Sequence, residues 1–217
     1  MIIGTDQLKQ KRKYDNISIR ADKDRISESS SEKLLGVVID NRLSWKCHLY
    51  GDENNEGLVG QLSKRIGMIT KLSKFVNKER LKTLASGLFY SKITYCLPIF
   101  GNVLNLDTYK ENNNRYTSFS KVDNNRLQIL QNKLNRLLSN SPRFTPTVDL
   151  LTATKSISIQ QMIAFRTLIM FHKIINTSKP SFIAYKLDNL KISCGTRSGR
   201  MYMLPNYKLS VRKESFL

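Results

Sequence analysis

Residues 33–49 read KLLGVVIDNRLSWKCHL and contain the strongest strand signal in the chain. The β-branched apolar run Leu34–Ile39 is closed by Asp40, which predicts a strand that ends in a turn. Upstream, Met1–Thr5 reads as another short strand. We therefore predict a small antiparallel β unit over residues 1–50.

Beyond residue 57 the apolar periodicity changes from two to 3.6 residues. Leucine and isoleucine recur at spacings of four and three over residues 58–72, which predicts an amphipathic helix. Asn77 predicts the N-cap of a second helix. Gly87 either weakens that helix by about 1 kcal/mol relative to Ala or marks a close helix–helix approach. The apolar stripe of the second helix is Leu81, Leu84, Ala85, Leu88 and Phe89.

Further helices are predicted downstream of a polar, asparagine-rich stretch. Asp123 is the expected N-cap of a third helix, and Thr147–Thr154 predicts a short fourth one. Ser158 and Gln161 have the spacing of a capping box, followed by the very apolar residues 159–175, which we expect to form the core helix.

These signals together predict an α+β fold that is mainly α, with a small N-terminal antiparallel β unit followed by a helical bundle. Weaker signals complete the β unit. They are an exposed strand at residues 17–19 and a polar loop over residues 21–33.

Positive charge is concentrated in the helical part of the chain. The 217 residues include 36 Lys and Arg against 17 Asp and Glu, a formal net charge of +19. Residues 1–56 hold 10 basic and 10 acidic side chains, whereas residues 57–217 hold 26 basic and 7 acidic ones. Such an excess destabilises a compact protein by self-repulsion unless a polyanion is nearby. The composition therefore predicts a polyanionic partner.

Cysteine and histidine usage argues against several classes of protein. Cys47, Cys96 and Cys194 are far apart, with no C-x-x-C pair, so we expect a reducing compartment, the nucleus or the cytoplasm of the cell. His48 and His172 lack partners at a spacing typical of a metal site or a catalytic triad. No apolar run reaches the roughly 18–20 residues of a membrane span, so we expect an intracellular protein with no membrane partner.

Residues 33–49 resemble the strand-turn segment that follows the palm active site in non-LTR retrotransposon reverse transcriptases. In that family the segment forms the primer-grip hairpin and the entry to the thumb. The family pattern is K-x-L-G-V-x-(I/L)-D-x-x-L-(S/T)-W-x-x-H-(I/L). The residues that match it here are Lys33, Leu35, Gly36, Val37, Ile39, Asp40, Leu43, Ser44, Trp45, His48 and Leu49.

Later segments resemble the family in the same order. The thumb ends in a Y-x-x-P-(I/V)-(F/W)-G motif, here Tyr95, Pro98, Ile99, Phe100 and Gly101. LQILQNKLNRLL, at residues 127–138, resembles the family's L-x-x-L-Q-N-(K/R)-x-x-R-x-(I/L) helix. Residues 142–151 and 156–176 resemble two post-thumb segments, so the resemblance spans most of the chain.

The resemblance implies a division of the chain into five segments. They are a palm-edge and primer-grip β unit at residues 1–50, a thumb helix pair at 57–101, a polar loop or insertion at 102–122, a post-thumb helical region at 123–190 and an extended basic tail at 191–217.

The resemblance implies RNA-directed DNA polymerase activity only for the intact parent enzyme. That enzyme needs an (F/Y)-A-D-D palm turn, because its paired aspartates hold the two catalytic metal ions. No Asp-Asp pair occurs in this sequence, and in the family the turn lies upstream, so we expect it to precede Met1. We therefore expect a fragment without catalytic residues or a cofactor of its own, with Mg²⁺ implied only for the intact parent.

The partners expected for such a fragment are RNA and the RNA–DNA duplex. Residues 57–100 hold eight basic side chains and one acidic one, Glu79, whereas a solvated helix face normally mixes both signs. This concentration suits phosphates, which give affinity without sequence information. The expected nucleic-acid-binding residues are Lys33, Leu35, Gly36, Lys64, Arg65, Lys71, Lys74, Lys78, Arg80, Lys82, Lys92, Lys133 and Arg136.

Two other interpretations stay open at the level of sequence. One is a non-enzymatic RNA-binding or assembly module derived from a retroelement, and the other is a pseudogene product without a function. Four aromatic side chains could stack on bases, although core packing is the simpler interpretation of each. They are Trp45, Phe89, Tyr90 and Tyr95.

Overall fold

The computed structural model describes two long stretches of the chain, residues 28–101 and 121–188, the latter with backbone alone at 121 and 122. It also describes Met1 and Ile3 and the backbone of residues 19–21, 24–26, 191–192 and 201–202. The chain forms two compact units, Met1–Met68 and Ile69–Leu217. It is mainly helical with short antiparallel strand pairs, which confirms the predicted fold class.

Two predicted segments lie mostly outside the described residues. The strand expected at Met1–Thr5 lies outside the described residues except for Met1 and Ile3. The polar segment expected at residues 102–122 lies outside them except for its last two residues.

The described residues form three pairs of short strands, each antiparallel. They are β1 (Ile19–Ala21) with β2 (Asp24–Ile26), β3 (Ser31–Leu34) with β4 (Val37–Asp40), and β5 (Lys191–Ile192) with β6 (Met201–Tyr202). β2 and most of β3 fall where we predicted a polar loop, so that prediction is wrong. The hydrogen bonds between paired strands are made by backbone groups. A short polar strand can therefore form without the alternation of apolar and polar residues that identifies a strand in sequence.

The run Leu34–Ile39 is a hairpin and not the single strand that we predicted. Leu35 and Gly36 form a two-residue connection between β3 and β4, with φ angles of 49° and 84°. Positive φ at both central residues is the signature of a type I′ turn, whose twist matches that of the strands. The family resemblance implied a hairpin here, but the apolar pattern did not, because leucine rarely adopts this conformation and the run therefore reads as one continuous strand.

The rest of the first unit supports this hairpin. Helix α1, Lys46–Tyr50, packs against β4. A Cβ at Gly57 would lie 2.2 Å from the carbonyl carbon of Tyr50. Only glycine therefore fits where the chain returns past the end of α1, immediately before the long helix that starts at Leu58.

Helices make up most of the remaining described chain. They are α2 (Leu58–Leu72), α3 (Lys78–Ala85), a π-helical turn (Ser86–Tyr90), α4 (Ser91–Thr94), α5 (Leu97–Phe100), α6 (Lys121–Ser139), α7 (Thr147–Thr154), α8 (Ile159–Thr177) and α9 (Ser181–Asp188). The stripe predicted for α2 is confirmed at Leu58, Leu62, Ile66 and Ile69, which are buried.

Helix starts follow the predicted caps in two of three places. The Asn77 side chain accepts a hydrogen bond of 3.0 Å from the backbone N–H of Arg80. Ser158 and Gln161 form the expected capping box at the start of α8. Asp123 is not an N-cap, because α6 already begins at Lys121 and the buried Asp123 lies in its first turn.

The core of the second unit is built around α6 and α8. Helix α6 packs against α3, α7 and α8, and α8 also contacts α5 and α9. A Cβ at Gly101 would lie 3.0 Å from Cγ1 of Ile163 and 2.6 Å from the Leu97 carbonyl oxygen. The glycine of the Y-x-x-P-I-F-G segment is thus needed for close packing of α5 against α8.

The structure excludes one of the two alternatives for Gly87 and corrects the prediction for α8. A Cβ at Gly87 would meet no atom within 4 Å, so Gly87 does not mark a close helix–helix approach. Helix α8 is only partly a core helix: Met162 and Ile163 are buried, whereas Phe165 and Leu168 are exposed. In the described part of the chain, no helix is both long enough and apolar enough to cross a membrane.

Candidate nucleic-acid interface

The tip of the β3–β4 hairpin presents three of the residues predicted to bind nucleic acid. Lys33 and Gly36 are exposed, and the Leu35 side chain is 82% exposed. A leucine in the left-handed region costs about 1–2 kcal/mol, and here its side chain recovers nothing by burial. Burial of an apolar side chain therefore does not explain leucine at this position.

The other polar residues of the 33–49 segment act inside the first unit. Asp40 Oδ1 accepts a hydrogen bond of 2.7 Å from the backbone N–H of Ser44, and the Ser44 hydroxyl donates to its other oxygen. Nδ1 of the buried His48 accepts a hydrogen bond of 3.3 Å from the backbone N–H of Val38. Asp40, Ser44 and His48 thus fix the hairpin and leave only its tip for an outside partner.

A loop at Asp52 holds the opposite end of the hairpin. The Ser31 hydroxyl donates to Asp52 Oδ2 at 2.8 Å, and the backbone N–H groups of Asn54 and Asn55 donate to Oδ1 at 3.0 and 2.7 Å. These bonds, first among them the one from Ser31, lower the pKa of Asp52 below its usual value. Asp52 therefore stays ionised, and its role is structural.

Lys64 and Arg65 of α2 differ in their surroundings. Lys64 Nζ lies 2.8 Å from Glu56 Oε1, and Arg65 is half-buried. An exposed ion pair of this kind contributes only about 0–1 kcal/mol. A phosphate can therefore replace Glu56 as the partner of Lys64 at little energetic cost.

In the second unit, the end of α2 and the start of α3 carry exposed cations. Lys71, Lys74, Lys78, Arg80 and Lys82 are all exposed. Within residues 28–101 and 121–188, none of these five side chains pairs with a carboxylate. Lys78 and Arg80 lie in the first turn of α3, where the positive end of the helix dipole disfavours cations. Their positions raise the local positive potential and do not stabilise α3.

The remaining predicted cations are distributed over other elements. Lys133 is exposed on α6, whereas Lys92 and Arg136 are half-buried. The Nε of Arg136 is buried, with no hydrogen-bond partner among the described residues. Lys133 is therefore the most accessible of these three to a phosphate.

The LQNK segment of α6 divides into an inner and an outer part. Gln131 and Asn132 are buried, whereas Lys133 points to solvent. Gln131 Nε2 donates to the Ile157 carbonyl at 2.7 Å, and Asn132 Nδ2 donates to Thr147 Oγ1 at 2.8 Å. The two amides therefore tie α6 to α7 and to the start of α8, and they are not free to contact a nucleic acid.

Three neighbouring side chains extend this buried amide network. The Tyr90 hydroxyl, at the end of the π-helical turn, donates to Asn135 Oδ1 at 3.2 Å. Asn135 Nδ2 donates to Ser156 Oγ at 3.1 Å. Gln128 Oε1 accepts from the Ile159 backbone N–H at 3.0 Å. Gln128, Gln131, Asn132 and Asn135 thus each bond to a group outside α6.

The aromatic residues separate into buried and exposed groups. Trp45 and Phe89 are buried, and Tyr90 is half-buried and hydrogen-bonded, which confirms core packing for these three. Tyr95 is about half exposed, so core packing is the wrong interpretation for it. Sequence reasoning missed Phe75, whose side chain is 85% exposed. Its position between the end of one apolar stripe and the N-cap Asn77 was the available signal.

A metal site is the other kind of site that the structure can reveal. Among the residues that it describes, no three His, Cys, Asp or Glu side chains come together as a metal site.

Comparison with known proteins adds no relative. No protein-family model, curated protein or solved structure matches this chain.

Proposed function

We propose that this chain is the primer-grip hairpin, thumb and post-thumb part of a non-LTR retrotransposon reverse transcriptase. It holds RNA and RNA–DNA duplex by the phosphates and does not itself polymerise. The observation that carries the proposal is the segment of residues 71–82. Its five basic side chains are exposed and, within the described residues, unpaired with carboxylates. Cations in this state keep their charge free for a polyanion, which is the main source of affinity for nucleic acid.

The β3–β4 hairpin supports the same proposal from the first unit. Its tip offers an exposed glycine, which lets a nucleic-acid strand approach the backbone closely, beside exposed Lys33 and Leu35. The buried bonds of Asp40 and His48 hold this tip in place. These features agree with the primer-grip role that the family resemblance implies for the segment.

A salt titration of binding tests the proposal. We expect the whole chain to bind a labelled RNA–DNA duplex with an affinity that falls linearly in a log–log plot against salt. The triple variant K71Q/K74Q/K78Q should lower the slope by up to about 3, because each lost phosphate contact removes roughly one unit. Fluorescence anisotropy at several salt concentrations measures both quantities.

The matched control is K155Q/K173Q/K179Q, which removes three other exposed lysines from the same unit. Equal loss of affinity in both triple variants would show that net charge alone attracts the nucleic acid and would refute a site at residues 71–82. Strong preference for a structured RNA hairpin over the duplex would instead favour a non-polymerase RNA-binding module.

A further inference from the structure

Phe75 lies in the short connection between α2 and α3 and has one of the most exposed large side chains in the described residues. Its side chain is 85% exposed, and among the aromatic residues whose burial the structure describes only Phe144, at 90%, is more exposed. Single exposed apolar residues are common on protein surfaces. Exposure alone therefore says little, and the surroundings of the ring decide its meaning.

The surroundings of Phe75 are basic. Lys71, Lys74 and Lys78 lie within four residues of it and are exposed, and Glu79 is the one acid in that window. None of these three lysines pairs with a carboxylate in the part of the chain that the structure describes. By contrast, Arg143 is the only charged residue within three positions of Phe144.

The connection that carries the ring is fixed by backbone and cap hydrogen bonds. The Phe75 N–H donates to the Leu72 carbonyl at 3.0 Å, and the Ser73 N–H donates to the Ile69 carbonyl at 2.9 Å. On the other side, Asn77 caps α3. The ring is therefore presented from an ordered turn between two helix ends, which reduces the entropy lost when a ligand stacks on it.

We propose that Phe75 is a stacking platform for an unpaired nucleobase, and that Lys71, Lys74 and Lys78 hold the phosphates on either side of that base. This inference rests on the proposed nucleic-acid-binding function and adds a preference for single-stranded segments. Every base has a flat π face, so such stacking is independent of sequence. The farthest of these lysines, Lys71, is four residues from Phe75, and four residues of chain span at most roughly 14 Å. The long lysine side chains can therefore reach the phosphates next to a stacked base.

A paired duplex gives Phe75 no free base face along its length, and this difference makes the proposal testable. Anisotropy titrations of the whole chain should use a labelled single strand, the same strand with abasic sites, and a blunt duplex. We expect F75A to weaken single-strand binding about 5- to 100-fold. Binding of the abasic strand and of the duplex should change less than twofold.

Three further variants separate stacking from other effects. F75L keeps an apolar side chain but loses the planar ring, so it should bind as weakly as F75A. F75W keeps an aromatic ring, so it should bind the single strand as the wild type does, and the bound strand should quench the tryptophan fluorescence. F144A is the matched control and should bind as the wild type does. Melting temperatures of all variants should agree, because both phenylalanines are exposed.

Several outcomes would overturn the proposal. Equal binding of wild type and F75A to the single strand, with the salt dependence intact, refutes base stacking and leaves the phosphate-binding function standing. A wild type that binds none of the three oligonucleotides refutes both. Phe75-dependent binding to vesicles containing phosphatidylserine, without Phe75-dependent binding to the single strand, assigns the ring to a lipid surface instead.

Discussion

Leu35 combines two unfavourable properties in one turn residue. Its φ of 49° lies in the left-handed region, which asparagine and glycine occupy far more readily than leucine. Its apolar side chain is also almost fully in water. Residues that keep strained conformations persist where a function needs them, which makes Leu35 a position where stability and binding can be separated.

We expect L35N to stabilise the protein and to weaken its contact with nucleic acid. Asn-Gly is the preferred pair for a type I′ turn, so the free energy of unfolding should rise by about 0.5–1 kcal/mol. Urea denaturation measures the gain, and duplex anisotropy measures the loss of affinity. L34N serves as the control, because Leu34 is exposed in β3 without a positive φ. A stability gain with unchanged affinity would exclude Leu35 from the interface.

Asp52 provides a second residue-scale test, through its pH dependence. Its pKa in the folded protein lies below the usual 3.8 because Ser31 and the backbone of Asn54 and Asn55 donate to it. A lowered folded pKa means that the carboxylate stabilises the fold above pH 3.8, and that this contribution is lost as the pH falls through the lowered value. S31A should therefore raise the pKa of Asp52.

An NMR titration of the Asp52 carboxyl carbon measures this change directly. S30A is the control, because Ser30 is a neighbouring serine whose hydroxyl is not the donor to Asp52. A pKa that is the same in S31A and in the wild type would mean that the bond from Ser31 contributes little to the shift.

At the scale of elements, α6 carries a residue that stabilises the fold and, two positions later, a residue proposed to bind phosphate. Gln131 donates to the Ile157 carbonyl inside the protein, whereas Lys133 is exposed. Q131A should lower the free energy of unfolding by about 1–3 kcal/mol, because it removes a fully buried amide together with its hydrogen bond to the Ile157 carbonyl. K133Q should change it by less than about 0.5 kcal/mol.

Binding should show the opposite order for these two variants. K133Q should reduce the salt slope of duplex binding by up to about 1, and Q131A should leave the slope unchanged in the folded protein. Circular dichroism with urea and anisotropy with salt supply the two measurements. A K133Q variant with an unchanged slope would remove Lys133 from the candidate interface.

How far the sequence predicted these elements depended on periodicity. Local spacing of residues was enough to predict three features: the apolar stripe of α2, the N-cap at Asn77 and the capping box at Ser158. The apolar pattern did not show the reversal at Leu35, although the family resemblance implied a hairpin, since nothing in that pattern marks a leucine with positive φ. The exposure of Phe165 and Leu168 was also hidden, because periodicity does not tell which apolar face finds a partner.

At the scale of the whole molecule, the net charge of +19 links stability to ionic conditions. Like charges repel less when salt or a polyanion screens them. A ligand that binds only the folded state also raises the melting temperature by mass action. Both effects act in the same direction here, but they differ in how they respond to added salt.

We expect the melting temperature to rise from low to physiological salt in the protein alone. A single-stranded oligonucleotide should add a further increase that shrinks as salt is added, since its affinity falls with salt. Differential scanning fluorimetry over a grid of salt and oligonucleotide concentrations measures both trends. An oligonucleotide shift that grows with salt would contradict electrostatic binding.

The buried amide network of α6 restricts how this sequence can diverge. Gln131, Asn132 and Asn135 each complete a bond to a group contributed by another element, so replacing one of them alone strands its partner. Descendants of this gene should therefore retain these amides together with Tyr90 and Thr147, or exchange the whole set for hydrocarbon side chains in a single lineage. The neighbouring Lys133 is exposed and, within the described residues, makes no bond to another element, so it should vary in sequence wherever binding to phosphates is no longer selected.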